Sequence, residues 1–150
     1  MKTLGNNLLL ERRKIGYFAS SKIASLSVLP TLDWATEVAK RDNVAIVSGF
    51  HSKMEREVLD ILLRGRCGII CVLARSIYKV IPDIYRDAFA QNRVLFISHN
   101  TSKSTMTSRH LCQKRNDYIA SISDELVFSS LTPESSLYPI AISKLNKLVL

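Results

Sequence analysis

Hydroxyl, amide and cationic side chains gather where apolar runs end in this chain. Ser20, Ser21 and Lys22 follow the run KIGYFA. Ser48 and Gly49 follow VAIV, with Ser52 and Lys53 close behind, and Lys103, Arg109, Arg115 and Asn116 come after VLFI. Residues of these types hold phosphate. Hydroxyls and amides hydrogen-bond its oxygens, backbone N–H groups at a helix start add further donors, and Lys or Arg supplies the charge. They retain a ligand rather than break a bond. Ser52 also reads as a plain helix cap, which a strand-to-helix turn needs whether or not it binds anything.

Patterns for catalysis and for cofactors are missing. There is no G-x-G-x-x-G after the first apolar run and no G-x-x-x-x-G-K-[ST] loop, so the common dinucleotide and ATPase signatures are excluded. No G-x-S-x-G elbow occurs. His51, His99, His110 and Cys112 lack the spacing of a zinc site, so neither metal nor cofactor is expected. Glu55 and Glu57 stand two apart, which on a helix turns them to different faces and denies them the role of an acid/base pair.

The elements that position these residues follow from hydrophobic spacing. Residues 44–65 read as strand, tight turn and helix: Val44 to Val47 is a short apolar run, Ser48-Gly49 breaks it, and Met54, Val58, Ile61 and Leu62 recur at intervals of three and four before Gly65. Lys14 to Ala19, Gly68 to Ala74, Val94 to Ile97 and Leu126 to Ser129 read as four more strands. The unbroken run GIICVLA suits a strand buried on both faces, so Ile69 to Leu73 is expected to be central. Helices are expected from Pro30 to about Arg41, from Pro82 through Phe89, from about Arg109 to Ser121, and from Leu137 to Leu148. Residues 1–13 read as an arm or short helix whose leucines cover a sheet edge.

Strict alternation of strand and helix predicts an α/β fold: a Rossmann-like, doubly wound three-layer sandwich with a mainly parallel sheet. One domain spans residues 1–150, with no repeat and no linker. In such a sheet ligands sit beyond the carboxyl ends of the strands. Five polar corners converge there: Ser20 to Lys22, Ser48-Gly49 with Lys53, Arg75 with Lys79, the Ser98 to Ser108 loop, and Ser129-Ser130.

Charge sharpens the choice of ligand. The chain carries a net charge of +8 and 47% hydrophobic residues. Ala88 to Asn116 holds no Asp or Glu, and neither does Ile61 to Pro82. Such basic windows suit a polyanion, although a solvated basic face with no partner has the same composition. No apolar run nears the ~20 residues that cross a bilayer, so no membrane partner is expected. The odd set Cys67, Cys71 and Cys112 points to reduced thiols and a cytoplasmic setting.

Several of these segments resemble the Rossmann-like core of the DNA-processing protein A family (DprA, also called Smf). This family lies within a wider nucleotide-binding superfamily that includes the LOG phosphoribohydrolases. Ala19-Ser20-Ser21-Lys22 resembles the family's G-S-R turn, and Val44 to Glu55 resembles its I-V-S-G-x-A-R-G-I-D. Ile81-Pro82 with Tyr85 and Phe89 is similar to its Y-P-x-x-N-x-x-L, and Ile97-Ser98-His99 stands at its I-S-E. Lys114 to Asp117 with Ile119 and Ile122 resembles its R-N-R-I-I-x-x-L, and Glu134 to Leu137 its S-G-S-L. The likeness covers about residues 14–141. Here Ser52-Lys53 stand for the family's Arg-Gly, Glu55 for its Asp, Ala19 for the first-turn Gly and Ser135 for the late Gly. The LOG-type P-G-G-x-G-T motif is absent.

The resemblance implies a non-catalytic module that binds single-stranded DNA in recombination or DNA uptake. It also admits a recombinase partner and a homodimer. Two other readings stay open: a sensor or hydrolase of a small nucleotide or nucleoside monophosphate at the same edge, and an interaction domain with a degenerate pocket. Arg115 with Asn116 suits either a phosphate contact or a brace for the loop before its helix.

Overall fold

The computed structural model describes residues 1–99 and 108–150. The strands are β1 (Lys2–Gly5), β2 (Arg13–Ala19), β3 (Val44–Ser48), β4 (Gly68–Leu73), β5 (Val94–Ser98), β6 (Glu125–Ser129) and β7 (Lys147–Val149). The helices are α1 (Ser25–Ala39), α2 (Lys53–Leu63), α3 (Arg86–Ala90), α4 (Arg109–Ile122) and α5 (Tyr138–Ile142). The strands form one seven-stranded sheet in the order β1-β5-β4-β3-β2-β6-β7. Every pairing is parallel except β1 with β5.

The chain winds outward from β2 through β3 and β4 to β5, and α4 then carries it back to β6 on the other side of β2. The order therefore reverses at β2, which makes its carboxyl end the switch point of the sheet. Alternation along the strands sorts the core into two layers. Ile15, Tyr17, Ile46, Ile69 and Phe96 face α1, α2 and α3. Phe18, Val47, Ile70, Leu95 and Phe128 face α4 and α5. This is the expected doubly wound three-layer sandwich.

β4 is an interior strand with all six residues buried, as its apolar run requires, while the middle place belongs to β3. Helix α3 begins at Arg86, behind a 3-10 turn at Asp83–Tyr85, rather than at Pro82, and three further boundaries differ from the sequence reading. Residues 1–13 form an antiparallel edge strand followed by a single turn of 3-10 helix, and Leu9 of that turn is fully buried against the sheet. Helix α1 begins at Ser25, so Pro30 sits inside it rather than opening it. Long-range bonds fix the earlier start: the Ala24 N–H donates to Ser130 Oγ, and Ser27 Oγ donates to the Leu150 carbonyl. The last predicted helix stops at Ile142, because Lys147–Val149 gains a ladder with β6 as an edge strand.

Arg93 shows how part of the positive charge is spent on the fold. Its side chain is buried and donates to the carbonyls of Leu62, Leu63 and Cys67 at 3.2, 2.7 and 2.9 Å. Those carbonyls end α2 and lead into β4, where helical partners have run out. Arg93 therefore belongs to the core, not to a basic surface.

Candidate phosphate-binding cleft

The turn after β3 is built around one carboxylate. Ser52 caps α2: its Oγ accepts from the Glu55 N–H at 3.3 Å, and Glu55 reaches back to the Ser52 N–H at 3.1 Å. Glu55 also accepts from the His51 N–H at 2.9 Å and, across the sheet, from the Ala19 N–H at 3.1 Å. A buried carboxylate holding three backbone donors pins the end of β2 to the start of α2. Glu55 is thus a structural brace, and the expected capping role of Ser52 is confirmed. Phe50, buried with φ +47°, turns the chain sharply between them.

Beyond this brace lies a cleft of about 560 Å³ at the switch point. The loop after β2 contributes Ser20 and Ser21, the start of α2 contributes Ser52, Lys53 and Arg56, and α4 contributes Cys112, Arg115 and Asn116 from the opposite layer. Ser136 and Leu137 close the far wall. Arg115 lies across Gly49, where a Cβ would fall 2.7 Å from its Nε and 2.8 Å from its Cζ. Its Nε also donates to Asn116 Oδ1 at 3.2 Å. Among the described residues, no carboxylate forms an ion pair with Lys53, Arg56 or Arg115. Three cations with no ion pair among the described residues, several hydroxyls and a helix N-terminus are the groups from which an anion-binding site is built.

The cleft thus unites Ser20, Ser21, Ser52, Lys53, Arg115 and Asn116 of the expected set. Ser48 does not face it: the residue is fully buried and its Oγ accepts from the Phe50 N–H at 3.2 Å. Gly49 serves by making room for Arg115. Lys22 and Arg109 are exposed and lie outside the lining, since one stands on the open part of its loop and the other on the first turn of α4. Lys103 lies outside the described residues.

Two of the five polar corners have other duties. Ser129 is buried, with its Oγ 2.6 Å from both the Tyr17 hydroxyl and Thr31 Oγ1. Burial pushes the Tyr17 phenol well above its usual range. Arg75 lies 4.6 Å from the centre of the Tyr78 ring, away from the cleft. Of the thiols, Cys67 and Cys71 are core residues, which burial pushes up to about 11 and about 12, whereas half-buried Cys112 lines the cleft.

Arg56 and Ser136 were not anticipated. Arg56 stands one turn along α2 from Ser52, so helical spacing from the cap could have found it. Ser136 follows β6, and only the strand order brings it to β2. Among the described residues, no group of His, Cys, Asp and Glu is placed to hold a metal ion, and no helix is long and apolar enough to span a membrane.

The strand order and the cleft at its reversal define a Rossmann-like domain with a basic cleft at the switch point. Among solved structures the chain is similar to DNA processing protein A from Helicobacter pylori, described for its unique single-stranded DNA binding mode. The TM-score is 0.76 at 20% identity, over 98% of this chain and 69% of that one. It is also similar to DprA from Streptococcus pneumoniae, with a TM-score of 0.75 at 16% identity over 97% of this chain and 52% of that one. The chain thus spans about half the length of the second structure. These likenesses establish the fold expected from the motif order. No family model matches the sequence, and neither does any curated protein.

Proposed function

We propose that this chain binds single-stranded DNA by its phosphates at the switch-point cleft and serves DNA processing or recombination without catalysing a reaction. The observation that carries the reading is the meeting of Lys53, Arg56 and Arg115, unpaired by any described carboxylate, around the capped start of α2. The likeness to a DNA processing protein A studied for single-stranded DNA binding supports the polymer as ligand. Glu55, the one carboxylate in the lining, is fully engaged by backbone donors, which favours retention over turnover.

A second reading rests on size. The cleft's 560 Å³ falls within the about 300–1,000 Å³ typical of small-ligand pockets, which suits a single nucleotide. One titration separates the two. A labelled single-stranded oligonucleotide should bind with an affinity that falls linearly with salt on a log–log plot. Lys53→Ala with Arg115→Ala should shallow that slope by roughly 1.4, at about 0.7 per lost phosphate contact on a single strand. Arg109→Ala should matter less. An unchanged slope in the double variant removes the proposed site, and tight binding of a mononucleotide but not of the strand favours the second reading.

A further inference from the structure

A second, smaller cleft of about 300 Å³ adjoins the first and shares Ser20, Ser21 and Lys53 with it. Its character is different. Ile23, Val28 and Met54 form an apolar floor continuous with the core layer under α1 and α2. Glu57 stands at the rim, one turn of α2 beyond Lys53. Although the two are four residues apart, they form no ion pair, and the Glu57 carboxylate makes no ion pair among the described residues.

Resting on the phosphate reading above, we infer that this cleft is a nucleobase subsite that prefers a base with an exocyclic amine on its pairing edge over thymine. A nucleotide carries its phosphate and its base on opposite sides of the sugar, so a phosphate held at Lys53 can direct its base across the Ser20–Ser21 rim. The floor of Ile23, Val28 and Met54 offers aliphatic and thioether contact to a flat ring. A carboxylate is an acceptor only. It accepts from N4–H of cytosine, N6–H of adenine or N1–H and N2–H of guanine, whereas thymine offers only N3–H, flanked on both sides by carbonyls that repel the second carboxylate oxygen. Bases of a single strand are splayed and open on that edge, so the contact is available to it.

Labelled oligodeoxycytidine and oligothymidine of equal length, titrated at low salt against the full chain, test the inference. The cytidine strand should bind about fivefold tighter or more, at the lower end of what a specific base contact gives. Glu57→Gln should bring the ratio near one, because an amide can also donate to thymine O4. The salt slope for both strands should stay the same. Glu57 is exposed, so the variant should fold, and circular dichroism confirms it. A wild-type ratio near one with salt-dependent binding overturns the subsite and leaves the phosphate reading standing. A ratio that persists in Glu57→Gln places the preference elsewhere and also overturns it. If neither strand binds with salt dependence, both readings fail together.

Discussion

Arg115 reaches the cleft because residue 49 has no side chain. Gly49 has no positive φ, so alanine is compatible with its backbone; what alanine does is collide with the guanidinium at 2.7–2.8 Å. Gly49→Ala should therefore lower affinity for single-stranded DNA and shallow the salt slope by roughly 0.7, one phosphate contact. Stability should change by less than about 0.5 kcal/mol, since no core atom is removed. A denaturant melt beside the titration checks both halves. Ser20, Ser52 and Lys53 were legible as candidates because each lies within a few residues of a strand end or helix start, and Arg115, midway along α4, because its helix follows the loop after β5 and Arg115-Asn116 resembles a family motif. Arg93 was misleading for a different reason. Its place in an acid-free window looked like surface charge, and only the meeting of α2, β4 and β5 shows it capping a helix from inside.

At the scale of elements, α2 is held at both ends by buried charge, Glu55 at its start and Arg93 at its finish. Removing either leaves several backbone groups without partners. Glu55→Ala should cost about 3 kcal/mol, combining a lost cap with unsatisfied N–H groups at Ala19 and His51. Glu55→Gln keeps one acceptor and should cost less. Urea unfolding reads both, and near-native stability for Glu55→Ala would show that the brace is dispensable. The strand-turn-helix unit was legible because its spacing, cap and stop agree. The ends of α1, α5 and β7 were not, since those boundaries are set by partners far along the chain. Pro30 reads locally as a helix start, yet Ser130 and Leu150 hold a turn in front of it. Residues 147–149 read as helix until β6 offers them a ladder.

At the scale of the whole molecule, the alternation of elements was enough to predict the layers, but strand order was not written in any one segment. The crossover through α4 seats β6 beside β2, and Asp124 marks it. Its carboxylate accepts from the Lys14 N–H at 2.7 Å, and its own N–H donates to the Lys14 carbonyl at 2.7 Å. The backbone bond from Lys14 holds the carboxyl below its usual value of 3.8. A depressed carboxyl stabilises the fold fully above its unfolded pKa and loses that contribution as pH falls through the lower folded value. Stability should thus decline below about pH 4, and Asp124→Asn should be weaker at neutral pH but flatter across that acid range; identical acid profiles would refute the assignment. The seating of β6 also has a consequence in time. One wall of the cleft is complete by Arg56, while the other waits for Cys112 to Asn116, so a growing polypeptide on the ribosome emerges with half a receptor. Under the proposed function, capture of nucleic acid is then reserved for molecules whose crossover through α4 has been made.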